Sequence, residues 1–245
     1  MAGTNSKQVA KKGSNDKRGM TITLAETLSG KMLPFQLIYH GETVRSLLAV
    51  PFPEGFLLSY NEKYWSNEKD TRSLLMKVLK PYVDRTKEEL GLGRDHKFLL
   101  IWDAFKAQGT DGTCKTLEEL NAITVMTPKN LTHLLQSLDL SRNRSFKHFE
   151  KKAFSNYFTE TITAAMLQEP DRDITTIDVD FKLSTLKPEH VRLMGELFTF
   201  FNSEKGIEII KGGSSYSGIA LAITNSRKGD MEFRDLDPYK DILFV

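Results

Sequence analysis

Two aspartates stand at positions where this sequence could bind a metal ion. Asp103 directly follows the apolar run of residues 98–102, which predicts a buried strand. Asp139 follows a second apolar run, residues 123–126, and a loop that begins at Pro128. Ligand-binding groups in open α/β sheets lie at the carboxyl ends of the strands. If the two predicted strands are neighbours in one sheet, both carboxylates can lie close together.

Carboxylates in such a place suit hard divalent ions, because Mg²⁺ takes oxygen ligands and keeps several of its waters. Two ions about 3.5–4 Å apart can activate a water and stabilise the leaving oxygen of an in-line phosphoryl displacement. The alternative is structural: a single Asp after a strand is more often a helix cap or a turn residue. The spacing of Asp103 and Asp139 leaves both interpretations open.

Charge along the chain is uneven, although its 245 residues carry a net charge of only +2. Basic residues are concentrated near the amino terminus and again after Asp139, which indicates local contact with anions. The more common explanation for such runs is a solvated tail or helix face. The first group contains Lys7, Lys11, Lys12, Lys17 and Arg18, and the second contains Arg142, Arg144, Lys147, Lys151 and Lys152.

Composition also restricts where the protein can act. The single cysteine, Cys114, excludes an internal disulfide framework and favours a reducing compartment. No apolar run approaches the roughly 20 residues that a membrane-spanning helix needs, and the polar amino terminus lacks the apolar centre of a signal peptide. We therefore predict an intracellular protein without membrane contact.

The first half of the chain predicts a flexible arm, a hairpin and a helix. Residues 1–19 are polar and basic without a hydrophobic period, and residues 20–27 and 32–39 are extended runs on either side of a Ser-Gly turn. Residues 40–68 predict loops and short extended pieces packed on the sheet. A helical period covers residues 70–90, within which Pro81 should kink or split the helix.

The second half predicts further helices around the two aspartate-bearing strands. A short helix is expected over residues 116–120, a long amphipathic helix over residues 141–165, and another helix after residue 184. With 40% hydrophobic residues, the chain is long enough for one α/β domain with appendages. We predict a mixed sheet flanked by helices, with a flexible basic arm at 1–19, a core at 20–168 and a helical carboxyl-terminal extension at 169–245.

The order strand-Asp, strand, then Pro-Lys-Asn-x-Thr-x-x-Leu-Gln-x-Leu-Asp over residues 128–139 resembles a known family. It is similar to the catalytic core of DDE transposases of the pogo/Tigger/jerky group, and the resemblance runs from about Gly13 to the last residues. It implies an RNase H-like fold and two Mg²⁺ or Mn²⁺ ions. It also implies DNA strand cleavage followed by attack of the freed 3′ hydroxyl on target DNA. DNA would be the partner, the nucleus the location, and no small-molecule cofactor would be needed.

The resemblance also implies roles for individual residues. Asp103 would bridge the two ions, and Asp139 would hold one of them. Basic side chains would contact the DNA backbone, which dominates affinity for DNA. These basic residues are Lys11, Lys12, Lys17 and Arg18 in the arm, and Arg142, Arg144 and Lys147 after the second aspartate.

The sequence departs from the family pattern in several places. The family uses a third carboxylate, on a strand upstream of the turn that residues 12–19 match, and we expect this sequence to begin too late to contain it. The sheet would then lack a central strand and expose an unpaired edge. Ala104 and Gln108 stand where the family often has Asn and His, and Ser137 replaces a proline. His133, in the matched loop, is expected to make a structural hydrogen bond.

Three functions are compatible with these observations. The first is a transposase-derived domain that binds DNA with two of the three carboxylates and has weak or lost catalysis. The second is an active Mg²⁺-dependent strand-cleaving enzyme that a partner or a longer chain completes. The third is a protein-interaction module that kept the fold without the chemistry. The sequence leaves open the DNA sequence recognised and whether the chain forms a homo-oligomer.

Overall fold

The protein has a mixed α/β fold. The computed structural model describes residues 20–47, 51–103, 105–127, 143–180 and 183–220. The strands are β1 (Met20–Thr23), β2 (Gln36–His40), β3 (Leu57–Asn61), β4 (Phe98–Asp103) and β5 (Ala122–Thr127). The helices are α1 (Glu68–Leu74), α2 (Lys80–Glu89), α3 (Asp111–Glu119), α4 (Asn143–Gln168), α5 (Leu183–Phe201) and α6 (Glu204–Tyr216).

Strands β1, β2 and β3 form one mixed sheet with β2 in the centre. β1 runs antiparallel to β2, with Met20 opposite Tyr39, so the predicted hairpin is confirmed. An isolated bridge between Glu26 and Met32 extends the hairpin towards its turn. β3 is one of the extended pieces expected in residues 40–68, and it pairs in parallel with β2. Period-2 alternation in β2 sends neighbouring side chains to opposite faces of this sheet.

Strands β4 and β5 form a second, parallel sheet of two strands. Both strands arise from the apolar runs that predicted them, and the expectation that they are neighbours is confirmed. The expectation of a buried strand is wrong: β4 is only partly buried, and Leu99 and Ile123 are 43% and 50% exposed, because the described helices leave this small sheet partly uncovered. The intervening helix α3 begins earlier than expected, because the Thr110 side chain accepts a hydrogen bond from the Thr113 N–H and caps it. Among the described strands, none pairs with the outer edge of β1 or of β4.

The predicted helix over residues 70–90 is split, as Pro81 led us to expect. Helix α1 starts at Asn67, whose side chain accepts a hydrogen bond from the Asp70 N–H. A π-helical segment, Leu75–Leu79, then separates α1 from α2. Pro81 has no N–H and its ring crowds the carbonyl one turn earlier, so the regular α-helical pattern cannot continue through it.

The main hydrophobic core lies between the three-stranded sheet and helices α4, α5 and α6. Helices from the predicted core and from the predicted carboxyl-terminal extension contribute to the same buried cluster. Its members are Met32, Phe35, Leu37, Tyr39, Phe146, Val191, Leu193, Met194, Leu197, Phe201 and Ile210. None of the described helices is long and apolar enough to cross a membrane.

The opposite face of this sheet is covered by the α1–α2 helical unit. The Gln36 side-chain amide, fully buried, donates a 2.8 Å hydrogen bond to the Asp70 carbonyl at the start of α1. Ile38 and Leu75 are also buried, outside the main cluster. The three-stranded sheet therefore lies between two helical layers.

Candidate active site

Asp103 is the last residue of β4 and lies opposite Thr127, the last residue of β5. Because the two strands are parallel, their carboxyl ends lie at the same edge of the sheet. Thr127 is buried, with 4% of its surface exposed, and Asp103 is partly buried. In the sequence, Asp139 follows the end of β5 by twelve residues. Asp139 itself lies outside the described residues, so the structure places only the first of the two predicted carboxylates.

A turn of 3₁₀-helix, Lys106–Gly109, follows Asp103 and is held by backbone hydrogen bonds. The Phe105 N–H donates to the Asp103 carbonyl at 2.9 Å, and the Gln108 N–H donates to the Phe105 carbonyl at 3.0 Å. The Gln108 side-chain oxygen also accepts from the Phe105 N–H at 3.2 Å. Gln108, which replaces the His expected from the family, therefore caps the turn beside Asp103. This role was not predicted from the sequence.

The same turn is anchored to the start of α3. Ala107 is buried, and its carbonyl accepts hydrogen bonds from the Thr110 hydroxyl at 3.3 Å and the Thr113 hydroxyl at 3.0 Å. Phe105 and Lys106 are exposed on the other side of the turn. The backbone around Asp103 is thus fixed from two directions, by β5 and by α3.

The predicted basic face is described only in part. Lys147 is exposed on α4, while its neighbour Phe146 is buried in the core, so the helix directs Lys147 outwards. Burial raises the pKa of Glu150 above its usual value, and the nearby Lys147 partly offsets that rise. Arg144 is a residue of α4. The remaining predicted residues outside the described parts of the chain are Lys11, Lys12, Lys17, Arg18, His133 and Arg142.

Asp103 is the predicted metal ligand that lies among the described residues. No group of three or more His, Cys, Asp or Glu side chains that could hold an ion occurs within them. The carboxylate of Asp103 is nonetheless the kind of oxygen ligand that Mg²⁺ and Mn²⁺ prefer. The donor chemistry at this strand end therefore fits a divalent ion, with Asp103 as one ligand.

A second pair of titratable side chains lies between β2 and α5. The Tyr39 hydroxyl and His190 Nδ1 are 2.9 Å apart, and the two rings meet edge to face. His190 Nε2 is buried without a hydrogen-bond partner in the described structure. Burial lowers the pKa of His190 to about 4 and raises the pKa of the Tyr39 hydroxyl above its usual range. Sequence spacing could not reveal this pair, because 151 positions separate its members.

Comparison of the sequence with models of known protein families identifies the family of this chain. The model of the DDE superfamily endonuclease family matches residues 17–177, well over half of the 245 residues. The chain belongs to the DDE superfamily endonucleases. The matched range of this DDE endonuclease contains Asp103, Asp139 and Lys147. No match was found among curated proteins or among solved structures.

Proposed function

We propose that this DDE endonuclease domain is a transposase-derived core of the pogo/Tigger/jerky type that binds DNA in the nucleus. The observation that carries the proposal is the position of Asp103 at the carboxyl end of β4, opposite Thr127 at the carboxyl end of β5. That arrangement suits an RNase H-like site, in which carboxylates from neighbouring strands hold divalent ions.

Asp103 and Asp139 would hold Mg²⁺ or Mn²⁺ through their carboxylate oxygens. When bound, the ions would activate a water and stabilise the leaving 3′ oxygen of the cleaved strand. The protein's own contribution is to hold the Asp103 backbone rigidly, through the pairing with Thr127 and the capped turn at Gln108. Exposed cations such as Lys147 would contact the phosphates on either side.

We further propose that a partner or a longer chain can complete the site with a third carboxylate, carried on an additional strand. Among the described strands, β1, β3, β4 and β5 each have one edge without a partner. Support comes from two of these open edges, those of β1 and β4. A single strand between them would join the two sheets and bring its own carboxylate beside Asp103. Without that strand, the chain alone should bind DNA and have weak or no strand-cleaving activity.

Salt-dependent DNA binding tests this proposal. The logarithm of the binding constant of the purified chain for a duplex should fall linearly with the logarithm of salt concentration, with or without Mg²⁺, because released counterions dominate such binding. Charge reversal of Arg142, Arg144 and Lys147 should reduce the slope by about 2.7, since each duplex phosphate contact contributes about 0.9.

The matched control reverses three exposed lysines on other parts of the fold, Lys97, Lys115 and Lys205. This control variant should keep the slope of the parent chain. Binding that is undetectable or insensitive to salt would contradict the proposal and favour a protein-interaction module. Equal losses in the two triple variants would contradict the assigned DNA-contacting face.

A further inference from the structure

The turn after Asp103 exposes two consecutive side chains to solvent, an aromatic ring and an ammonium group. Phe105 is 41% exposed, and Lys106 is also exposed. A 3₁₀-helix has three residues per turn, so consecutive side chains point in directions about 120° apart. Ala107 is directed inwards, with 7% of its surface exposed, so Lys106 takes a different direction and is exposed.

This exposure belongs to a fixed piece of backbone. Phe105 donates its N–H to the Asp103 carbonyl and to the Gln108 side chain, and its carbonyl accepts from the Gln108 N–H. These hydrogen bonds fix the backbone from which the Phe105 ring extends. Among the described residues, no acidic side chain pairs with Lys106. The exposed Phe105 ring and the Lys106 ammonium are therefore available to a ligand with an apolar face and a negative charge.

We propose that Phe105 and Lys106 bind one unpaired nucleotide of the DNA strand beside the candidate metal ligand Asp103. The Phe105 ring would stack on the base, and the Lys106 ammonium would contact the adjoining phosphate. Stacking on an aromatic side chain accepts any base, because every base has a π-face. This inference rests on the proposed function and extends it, since it names the local state of the substrate.

The proposal concerns unpaired rather than duplex DNA for a physical reason. In a duplex, each base face is already stacked on its neighbours, and exposing it costs a few kcal/mol. A frayed or single-stranded nucleotide has no such cost and offers its face to Phe105. The domain should therefore prefer DNA that is unpaired next to the phosphate held near Asp103.

Affinity measurements on forked and blunt DNA test this preference. Two labelled DNAs of the same sequence are compared by fluorescence anisotropy, one a blunt duplex and one with a short unpaired fork. Phe105→Leu keeps the apolar volume but removes the aromatic face, so it should weaken fork binding about tenfold and leave blunt binding unchanged. Phe105→Trp should retain fork binding.

The lysine is tested separately through the salt dependence of fork binding. Lys106→Gln should lower the slope by about 0.7, the contribution of one single-stranded phosphate contact. Lys97→Gln is the matched control, because Lys97 is exposed at the opposite end of β4. That end lies about 20 Å away, at about 3.3 Å per strand residue. The control should leave the slope unchanged.

Several outcomes would overturn the inference. Phe105→Leu binding the fork as tightly as the parent would do so, as would equal losses for fork and blunt DNA. In either case the proposed function stands if the parent chain still binds DNA with the expected salt dependence. A parent chain that binds neither DNA would instead remove the proposed function, and this inference with it.

Discussion

Acidification should weaken the packing of α5 against the sheet through His190. In the folded protein, burial beside Tyr39 holds the pKa of His190 at about 4, against 6.5 for an ordinary histidine. The unfolded chain therefore binds a proton between pH 6.5 and pH 4 that the folded chain excludes. Stability from this group is fully present above pH 6.5 and is lost as the pH falls towards 4.

The expected size of this effect follows from the two pKa values. A difference of about 2.5 pKa units corresponds to about 3 kcal/mol, at about 1.36 kcal/mol per unit. Roughly 2 kcal/mol of that should already be lost between pH 7.5 and pH 5, because at pH 5 the unfolded histidine is almost fully protonated. A loss of this size is a large share of the stability of an ordinary domain.

Urea denaturation at pH 7.5 and pH 5 measures the effect, with His190→Gln as the informative variant. Glutamine can still accept the Tyr39 hydroxyl hydrogen bond but does not titrate, so the variant should lose about 2 kcal/mol less than the parent on acidification. His96→Gln, at an exposed histidine, should behave as the parent does. If His190→Gln and the parent show the same pH dependence, the account of this buried pair is wrong.

Three substitutions test the packing more directly, each by urea denaturation. Asn202→Ala should destabilise the fold by about 2 kcal/mol, because the Asn202 amide accepts a hydrogen bond from the Met32 N–H and donates one to the Met32 carbonyl, both at 3.2 Å. An unchanged urea midpoint would contradict those hydrogen bonds. Gly206→Ala should cost about 1–3 kcal/mol, because its Cβ would lie 2.2 Å from the Phe200 carbonyl oxygen, and full tolerance would show that the close approach is absent. Ile123→Thr, at a side chain 50% exposed, should change stability by less than about 0.5 kcal/mol; a loss above 2 kcal/mol would indicate that the residue is buried.

Much of the fold around the candidate site could be predicted, because the sequence patterns that determine its strands and helices are local. Strands β4 and β5 come from continuous apolar runs, and Pro81 divides a helix whose period is plain in the sequence. The parallel pairing of β3 with β2 could not be predicted, because it depends on residues about 20 positions apart and on packing rather than on local pattern. Strand propensity depends strongly on such context.

The candidate site was predictable to a similar extent. Asp103 lies at the carboxyl end of the predicted strand, at the sheet edge shared with β5, although that strand is only partly buried. The capping role of Gln108 and the exposure of Phe105 were missed, because both depend on the 3₁₀ geometry of a four-residue turn. The pairing of Tyr39 with His190 arises only when α5 packs on β2.

Calorimetric titration of Mg²⁺ and Mn²⁺ into the purified chain tests the central claim most directly. If the two carboxylates share the ions, the parent chain should give a binding heat that Asp103→Asn and Asp139→Asn each abolish. Asp95→Asn, at an exposed aspartate near the other end of β4, should keep that heat. No binding heat in the parent chain would contradict a shared metal site at the ends of β4 and β5. Site variants that keep the heat of the parent chain would contradict it as well.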